Sequence, residues 1–196
     1  LFSQTPQIFR NTELIYSDAI GAKVSQMGFK AQIAEGAKHV LGWRSPNYLY
    51  KNYPDGKMFL LLKNFQLSDD IAFRFSQHSW QGFPLTCDKF VSWLNEIENP
   101  DCINLFMDYE TFGEHQWKET GIFDFLKRLP FEVFERSDFD FATPSDLISR
   151  YEAKDLVSSI EPMSWADEER DVTAWLGNDL QDDALRFQRW RRNRRQ

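Results

Sequence analysis

The pattern of apolar and polar residues along the chain predicts strands that alternate with helices. Residues 58–63 (MFLLLK) are apolar on both faces, which is typical of a buried parallel strand. Residues 29–35 (FKAQIAE) alternate with a period of two and predict a second strand, and residues 103–107 (INLFM) predict a third. Residues 88–97 (DKFVSWLNEI) instead carry apolar side chains at helical spacing. This order indicates an α/β fold with a parallel sheet, either open or closed into a barrel.

Capping residues and helix breakers predict two further helices. One is expected to begin at Ser17 or Asp18, whose side chains can accept from the first turn, and to end before Gly28. Another, over residues 122–129, is expected to stop at Pro130 because proline cannot donate a backbone hydrogen bond.

Four shorter signals complete the predicted element order. Thr143 is expected to cap a helix whose first position is proline, and residues 68–70 (SDD) to cap a helix after the strand at 58–63. Residues 138–142 (DFDFA) predict one more strand, and residues 40–50 a loop rich in Trp, Tyr and Asn. There is no internal repeat or low-complexity linker, so the strands and helices belong to one unit.

Two acidic residues follow the strand predicted at 103–107. Asp108 and Glu110 are two positions apart, so on an extended segment they point to the same side. Barrel and open α/β folds carry their chemistry at the carboxyl edge of the strands, and the pair therefore predicts a shared cleft there. The alternative is that both residues cap the next helix or lie solvated in a loop.

A third acidic residue, Glu13, stands among apolar neighbours in residues 11–16 (NTELIY). A carboxylate in such surroundings needs a partner or serves chemistry, although it could also be a surface acid that begins a helix. Residues 163–178 combine two Trp with Asp and Asn. They predict either a substrate-facing loop or a capped helix whose Trp side chains fill the core.

Composition and charge narrow the class of protein. A chain of 196 residues that is 42% hydrophobic suits one domain or most of one. Its 16% aromatic content suits core packing and also a cleft that stacks on sugar rings. The formal charge of -7 argues against nucleic acid as a partner. Residues 186–195 are strongly basic and are expected to be a solvated terminus, with binding of an anionic polymer as the alternative.

Cysteine content and hydropathy predict the compartment. Cys87 and Cys102 do not make a disulfide framework and are expected to be free thiols in a reducing compartment. The sequence has no apolar run of about 18 residues and no opening signal segment, so we expect a soluble, cytoplasmic protein without a membrane partner. Because the first residue is Leu and not Met, we expect a fragment.

Three of these segments together resemble a known enzyme family. Residues 11–16, 107–115 (MDYETFGEH) and 164–178 are similar to the third, fourth and fifth sequence regions of glycoside hydrolase family 57, and most closely to its α-amylase-type members. The resemblance extends from about residue 9 to residue 185.

The resemblance implies a fold and a mechanism. Residues 1–185 would form the C-terminal part of an incomplete seven-stranded (β/α) barrel with parallel strands and a helical C-terminal segment, followed by a basic tail at 186–196. The family hydrolyses α-1,4-glucans with retention of configuration, and its nucleophile and general acid/base fall on Glu13 and Asp108 here.

Six further residues are expected to bind the substrate, which is an α-glucan or maltooligosaccharide. Glu110 would tune Asp108 or bind a sugar hydroxyl, His115 and Trp117 would stack on a glucose unit or hydrogen-bond it, and Asp171 and Trp175 would border the catalytic subsite by family position. Trp43, in the aromatic loop, would line the rest of the cleft. The mechanism requires no cofactor, and no ligand spacing suggests a metal.

The family's first two regions, a histidine motif and a further Glu, have no counterpart here. The three histidines are His39, His78 and His115, and none lies in such a motif. The absence of these two regions favours a chain that is inactive by itself. Three hypotheses stay open: an α-amylase-like hydrolase, a 4-α-glucanotransferase or branching enzyme on the same carboxylates, and a non-catalytic glucan-binding fragment. The oligomeric state is not predicted.

Overall fold

A five-stranded sheet forms the centre of the computed structural model, which describes residues 3–193. Alternate side chains of its longer strands, such as Leu60 and Leu62, are fully buried in an apolar core. The strands are β1 (Ile8–Arg10), β2 (Ala31–Glu35), β3 (Tyr50–Asn52), β4 (Phe59–Lys63) and β5 (Asp155–Val157), and their order in the sheet is β1-β2-β4-β3-β5.

The sheet is mostly parallel. β1, β2 and β4 run parallel, with Ala31 opposite Phe59 and Glu35 opposite Lys63. β3 is antiparallel to β4 and parallel to β5, so the expectation of uniformly parallel strands is wrong for the β3–β4 pair. The α/β class predicted from the alternating pattern is confirmed for the part of the chain that the structure describes.

Eight helices surround or extend the sheet within residues 3–193. They are α1 (Asp18–Gln26), α2 (Lys38–Leu41), α3 (Phe65–Ala72), α4 (Cys87–Asn95), α5 (Ile122–Arg136), α6 (Pro144–Arg150), α7 (Thr173–Leu176) and α8 (Asp179–Asn193), with 3-10 turns at Thr12–Leu14, Tyr109–Thr111 and Lys118–Thr120.

Two predicted helix caps are confirmed. The Ser17 hydroxyl accepts from the Ile20 amide at the start of α1, and the helix is followed by Gly28 with φ +92°. Thr143 caps α6 in a reciprocal capping box with Asp146.

Two predicted helix boundaries are wrong. α5 continues through Pro130 to Arg136, because Val133, beyond the proline, is buried against α3 and α4 and this packing offsets the missing hydrogen bond. α3 begins earlier than residues 68–70 suggested, because Asn64 accepts from the Leu67 amide and acts as the cap.

Three other local predictions need correction. Residues 103–107 are half-buried and form no strand; their one pairing is an isolated parallel bridge between Asn104 and Lys63. Residues 138–142 also lack strand pairing. The predicted loop at 40–50 contains the end of α2 and the first residue of β3.

Two apolar clusters hold the structure together. The first packs α1 and α2 against the sheet and includes Tyr16, Leu60 and Met163. The second joins α3, α4 and α5 and includes Phe90 and Phe125, whose rings meet edge to face at 5.9 Å.

The remaining expectations about the chain have mixed outcomes. Cys87 and Cys102 are buried free thiols, as predicted. Residues 186–193 of the basic segment belong to α8, while residues 194–196 lie outside the described part of the chain. Within residues 3–193, no helix is both long and apolar enough to span a membrane.

Candidate active site

A small cavity at the carboxyl ends of the strands contains three of the predicted site residues. It has a volume of about 160 Å³. Glu13 reaches it from the turn after β1, and Asp108 and His115 reach it from the segment that follows the Asn104–Lys63 bridge. The other lining residues are Lys63, Asp69, Ala72, Phe73, Met107, Thr111, Trp165 and Ala166. The structure therefore brings both predicted catalytic carboxylates to one cavity.

The backbone at Glu13 has an unusual conformation. Glu13 has φ +52° and Leu14 has φ +50°, in the left-handed region that costs a residue with a side chain roughly 1–2 kcal/mol. Leu14 is fully buried, which anchors the turn in the core. A non-glycine residue kept in this region is typical of functional sites held in place by their surroundings.

Residues 164 and 165 hold Glu13 through three hydrogen bonds. The Ser164 hydroxyl and the Trp165 amide donate to the Glu13 carbonyl at 2.9 and 3.2 Å. The Trp165 indole N–H donates to the Glu13 carboxylate at 2.8 Å. Two polar residues just before Glu13 make other contacts: the Arg10 guanidinium lies 5.4 Å from the centre of the Trp165 ring, and the Asn11 side-chain amide donates to the Ile15 carbonyl.

An antiparallel bridge brings the Trp165 segment to this position. Tyr16 and Met163 exchange backbone hydrogen bonds of 3.0 and 2.8 Å, and both side chains are fully buried. The Trp165 ring then packs 5.7 Å from the Phe106 ring. Residues 163–178 therefore supply a loop at the site, one of the two possibilities that the sequence left open.

Asp108 and Glu110 do not share the cavity. The chain turns into the Tyr109–Thr111 3-10 turn directly after Asp108, so the two side chains are not on one face of an extended segment. Asp108 is solvent-exposed at the cavity, whereas Glu110 is not among the lining residues and its carbonyl accepts from the amides of Glu114 and His115. The predicted same-side geometry is wrong because residues 103–110 do not continue as a strand.

The other predicted substrate-binding residues do not line the cavity that holds the two carboxylates. Trp117 is 66% exposed and lines a neighbouring hollow that His115 also borders. Asp171 accepts from the amide and hydroxyl of Thr173, which lowers the pKa of Asp171, and it does not line the cavity. Trp43, which is 94% exposed, and Trp175 are likewise not part of the cavity lining.

A charge cluster at the base of the cavity was not predicted; it consists of the buried residues Glu35, Lys63 and Asp69 and the partly buried Arg170. The Lys63 ammonium lies 3.6 Å from Glu35 and 3.3 Å from Asp69, and the Arg170 guanidinium lies 2.6 Å from Asp69 and 3.9 Å from Glu35. Burial raises the pKa of Glu35, and the neighbouring cations Lys63 and Arg170 only partly offset this effect.

One feature of the sequence could have indicated this charge cluster. β2 and β4, the two longest strands, both end in a charged residue, and the register places these residues, Glu35 and Lys63, opposite each other. Asp69 lies on the buried face of α3 and Arg170 arrives from the distant loop after Trp165, so their participation depends on the fold.

A larger groove continues from the cavity. It has a volume of about 970 Å³ and shares Asp69, Phe73 and Ala166 with the smaller cavity. Lys38, His39 and Gln77 line its other parts, so it is rich in groups that can hydrogen-bond hydroxyls. Among the described residues, no three His, Cys, Asp or Glu side chains gather as metal ligands would.

The sheet is mostly parallel, and acidic residues from distant segments meet at its strand ends. Carboxylate-dependent α/β enzymes carry their catalytic groups in the same place. The sequence profile described as glycosyl hydrolase family 57 matches residues 1–160, and the chain belongs to this family.

Two individual proteins are similar to the chain. A protein of Methanocaldococcus jannaschii described as "Putative alpha-amylase" is 50% identical over 183 residues, which cover 92% of this chain and 38% of that protein. The crystal structure of 4-alpha-glucanotransferase from Thermococcus litoralis matches with a TM-score of 0.57 and 17% identity, over 78% of this chain and 24% of that one. The second likeness concerns the fold alone. The chain thus spans well under half the length of the relative that it matches in sequence.

Proposed function

We propose that the chain carries the catalytic carboxylates of a retaining glycoside hydrolase that acts on α-1,4-glucans, with Glu13 as nucleophile and Asp108 as general acid/base. The observation that carries this proposal is that Glu13 and Asp108, distant in sequence, line one small cavity at the carboxyl ends of the strands. Family membership and the similarity to the M. jannaschii protein support an α-glucan or maltooligosaccharide as substrate.

The proposed reaction has two steps. The Glu13 carboxylate attacks the anomeric carbon while Asp108 gives its proton to the leaving glycosidic oxygen, so the glycosidic bond breaks as the glycosyl ester forms. Asp108, now ionised, then takes a proton from water, which attacks the anomeric carbon and releases Glu13. The Trp165 indole N–H stabilises the carboxylate that attacks first and leaves second.

The remaining predicted contacts fit the proposal to different degrees. His115 borders the cavity and Trp117 the adjoining hollow, so both are proposed to contact sugar units next to the bond that is cleaved. Glu110, Asp171, Trp175 and Trp43 would contact substrate only farther from the carboxylates. Residues 1–185 are proposed as the catalytic part, with the five-stranded sheet as one portion of an incomplete seven-stranded barrel.

A glucanotransferase outcome is the second candidate. The groove of about 970 Å³ beside the cavity favours it, because a sugar chain lying there could offer a hydroxyl to the glycosyl intermediate in place of water. Incubation of the full-length protein with one defined maltooligosaccharide distinguishes the two outcomes. Hydrolysis yields shorter products alone, whereas transfer also yields chains longer than the substrate.

Substitution of the two carboxylates in the full-length protein tests the proposal. We expect Glu13→Ala to abolish turnover and Asp108→Asn to reduce it roughly 10²–10⁴-fold, the usual contribution of a general acid. Both proteins should keep the circular dichroism spectrum of the unmodified protein. Glu114→Gln, which removes an exposed carboxylate from the same loop as Asp108, serves as the matched control and should keep its activity.

Azide supplies a second readout. In Glu13→Ala a small anion can enter the vacated space and attack from the side of the missing carboxylate, so an α-glycoside would give a β-glycosyl azide. Full activity in either Glu13→Ala or Asp108→Asn would refute the assignment of that residue.

A further inference from the structure

Arg170 ties the loop that carries Trp165 to the charge cluster. Its guanidinium donates to the Asp69 carboxylate at 2.6 Å and to the Trp165 carbonyl at 3.2 Å. Its own carbonyl accepts from the Ser164 amide at 3.1 Å. Arg170 therefore links the two ends of the loop at residues 164–170 and also connects this loop to α3, the helix that contains Asp69.

The same loop holds the candidate nucleophile. The Trp165 indole donates to the Glu13 carboxylate at 2.8 Å, and the Lys63 ammonium of the cluster lies 4.9 Å from the centre of the Trp165 ring. A continuous series of contacts thus leads from Asp69 through Arg170 and Trp165 to Glu13.

The burial of Glu35, Lys63 and Asp69 against the partly buried Arg170 is not explained by a gain in stability. Taking ions out of water costs much of what their attraction returns, and apolar side chains of similar size often stabilise a core as well. Arg170 also has φ +60°, a conformation that a residue with a side chain rarely adopts without outside restraint. The charged groups instead restrict the orientation of the loop, because a guanidinium that donates to both Asp69 and Trp165 is compatible with few loop conformations.

We propose that Asp69 and Arg170 are positioning residues, which fix the Trp165 indole so that it holds the Glu13 carboxylate in one orientation. Lys63 and Glu35 complete the cluster and balance its charge. The catalytic consequence rests on the proposed function of Glu13; the geometric consequence does not, because the indole–carboxylate hydrogen bond exists whether or not the protein hydrolyses glucans.

Nuclear magnetic resonance of the indole N–H groups tests the geometric part. The protein has seven Trp, so ¹⁵N-labelled protein gives a small set of indole signals. The Trp165 signal is identified by its loss in Trp165→Phe, and its hydrogen bond to Glu13 by the shift it undergoes in Glu13→Gln. We expect Arg170→Met and Asp69→Asn to move the Trp165 signal in the direction seen in Glu13→Gln. In Arg170→Lys, which keeps the charge, the signal should lie between its positions in the unmodified protein and in Arg170→Met.

Arg136→Met is the matched control. Arg136 also lies 2.6 Å from a buried carboxylate, that of Glu132, but on α5 and away from the cavity. It should leave the Trp165 signal unchanged. An unmoved signal in folded Arg170→Met, or an equal movement in Arg136→Met, would overturn the proposal. If Arg170→Met does not fold, Asp69→Asn and Arg170→Lys decide the question by the same criterion.

Kinetics of the full-length protein test the catalytic part. Misplacement of a reacting group by about 1 Å costs roughly 10²-fold in rate, so we expect kcat to fall by about that factor in Arg170→Met with KM nearly unchanged. An unaltered kcat together with a shifted indole signal would overturn the catalytic consequence. If the unmodified protein shows no turnover on any α-glucan, the proposed function fails, while the indole experiment still decides whether the cluster positions Glu13.

Discussion

Burial controls the chemistry of single side chains in this protein, as the two cysteines illustrate. The Cys87 thiol donates to the Phe125 carbonyl at 3.3 Å beneath α5, and Cys102 accepts from the Asn104 amide at 3.5 Å. Burial raises the pKa of each thiol to about 11. Since the thiolate is the reactive form, both side chains should be inert near neutral pH.

We therefore expect a thiol-specific reagent to label the native protein slowly at pH 8. With a pKa of about 11, roughly one thiol in a thousand is ionised at that pH, and both cysteines are buried. In 8 M urea two thiols per chain should react within the mixing time. Rapid labelling of one thiol in the native protein would contradict the burial of that cysteine.

Individual site residues were predictable to different extents. Glu13, Asp108 and His115 came from a motif and a family resemblance, and the fold places all three on one cavity. Lys63 and Asp69, which line the same cavity, were missed because apolar periodicity assigns charged residues to the surface. Their burial depends on partners from other segments, which no local pattern contains.

At the scale of elements, long periodic segments were predicted well and short apolar segments were not. β2, β4 and α4 follow from strong alternation or from a clear apolar face. Residues 103–107 have the apolar content of a strand, yet only Asn104 pairs with the sheet. Ile103, Leu105 and Met107 instead pack against the cluster of α3, α4 and α5. Apolar content reports burial, whereas a strand also needs a neighbour along its length.

Pro130 provides a test of how α5 is stabilised. The helix runs from Ile122 to Arg136, although position 130 cannot donate a hydrogen bond to the carbonyl of residue 126. We expect Pro130→Ala to stabilise the protein by about 1–2 kcal/mol, since alanine restores the amide and has a higher helix propensity, while the more flexible unfolded chain offsets part of the gain.

Urea unfolding measures this effect as a higher midpoint at an unchanged slope. Pro130→Gly is the matched control, because glycine also restores the amide but is about 1 kcal/mol less favourable than alanine in a helix. It should be correspondingly less stable than Pro130→Ala. A loss of stability in Pro130→Ala would mean that contacts of the proline ring outweigh the missing hydrogen bond.

At the scale of the whole molecule, the sheet topology was the least predictable feature. β3 and β5 have three residues each, too few to show a period, yet they set the order β1-β2-β4-β3-β5 and the antiparallel pair. The family resemblance supplied the expectation of an incomplete seven-stranded barrel, whereas residues 3–193 form a mostly parallel sheet of five strands with one antiparallel pair.

An exposed aromatic patch and the net negative charge have opposite expected effects on contact between copies of the chain. Phe131, Phe134 and Phe141 are each exposed by more than half, and the rings of Phe134 and Phe141 lie 5.5 Å apart, so α5 and the segment after it present a continuous aromatic patch. The formal charge of -7 at pH 7 opposes contact between copies, and the isoelectric point near 5.0 means that this repulsion disappears as the pH falls.

We therefore expect the weight-average sedimentation coefficient to rise as the pH is lowered from 7 to 5, because the aromatic patches of two copies can then meet without charge repulsion. Phe131→Ser should reduce this rise. Phe73→Ser is the matched control, since Phe73 is 60% exposed against 62% for Phe131 but lies beside the cavity and away from the patch. Equal association of the two variants would indicate that loss of charge alone drives it, and a monomer at every pH would indicate that the patch is too small to bind a second copy.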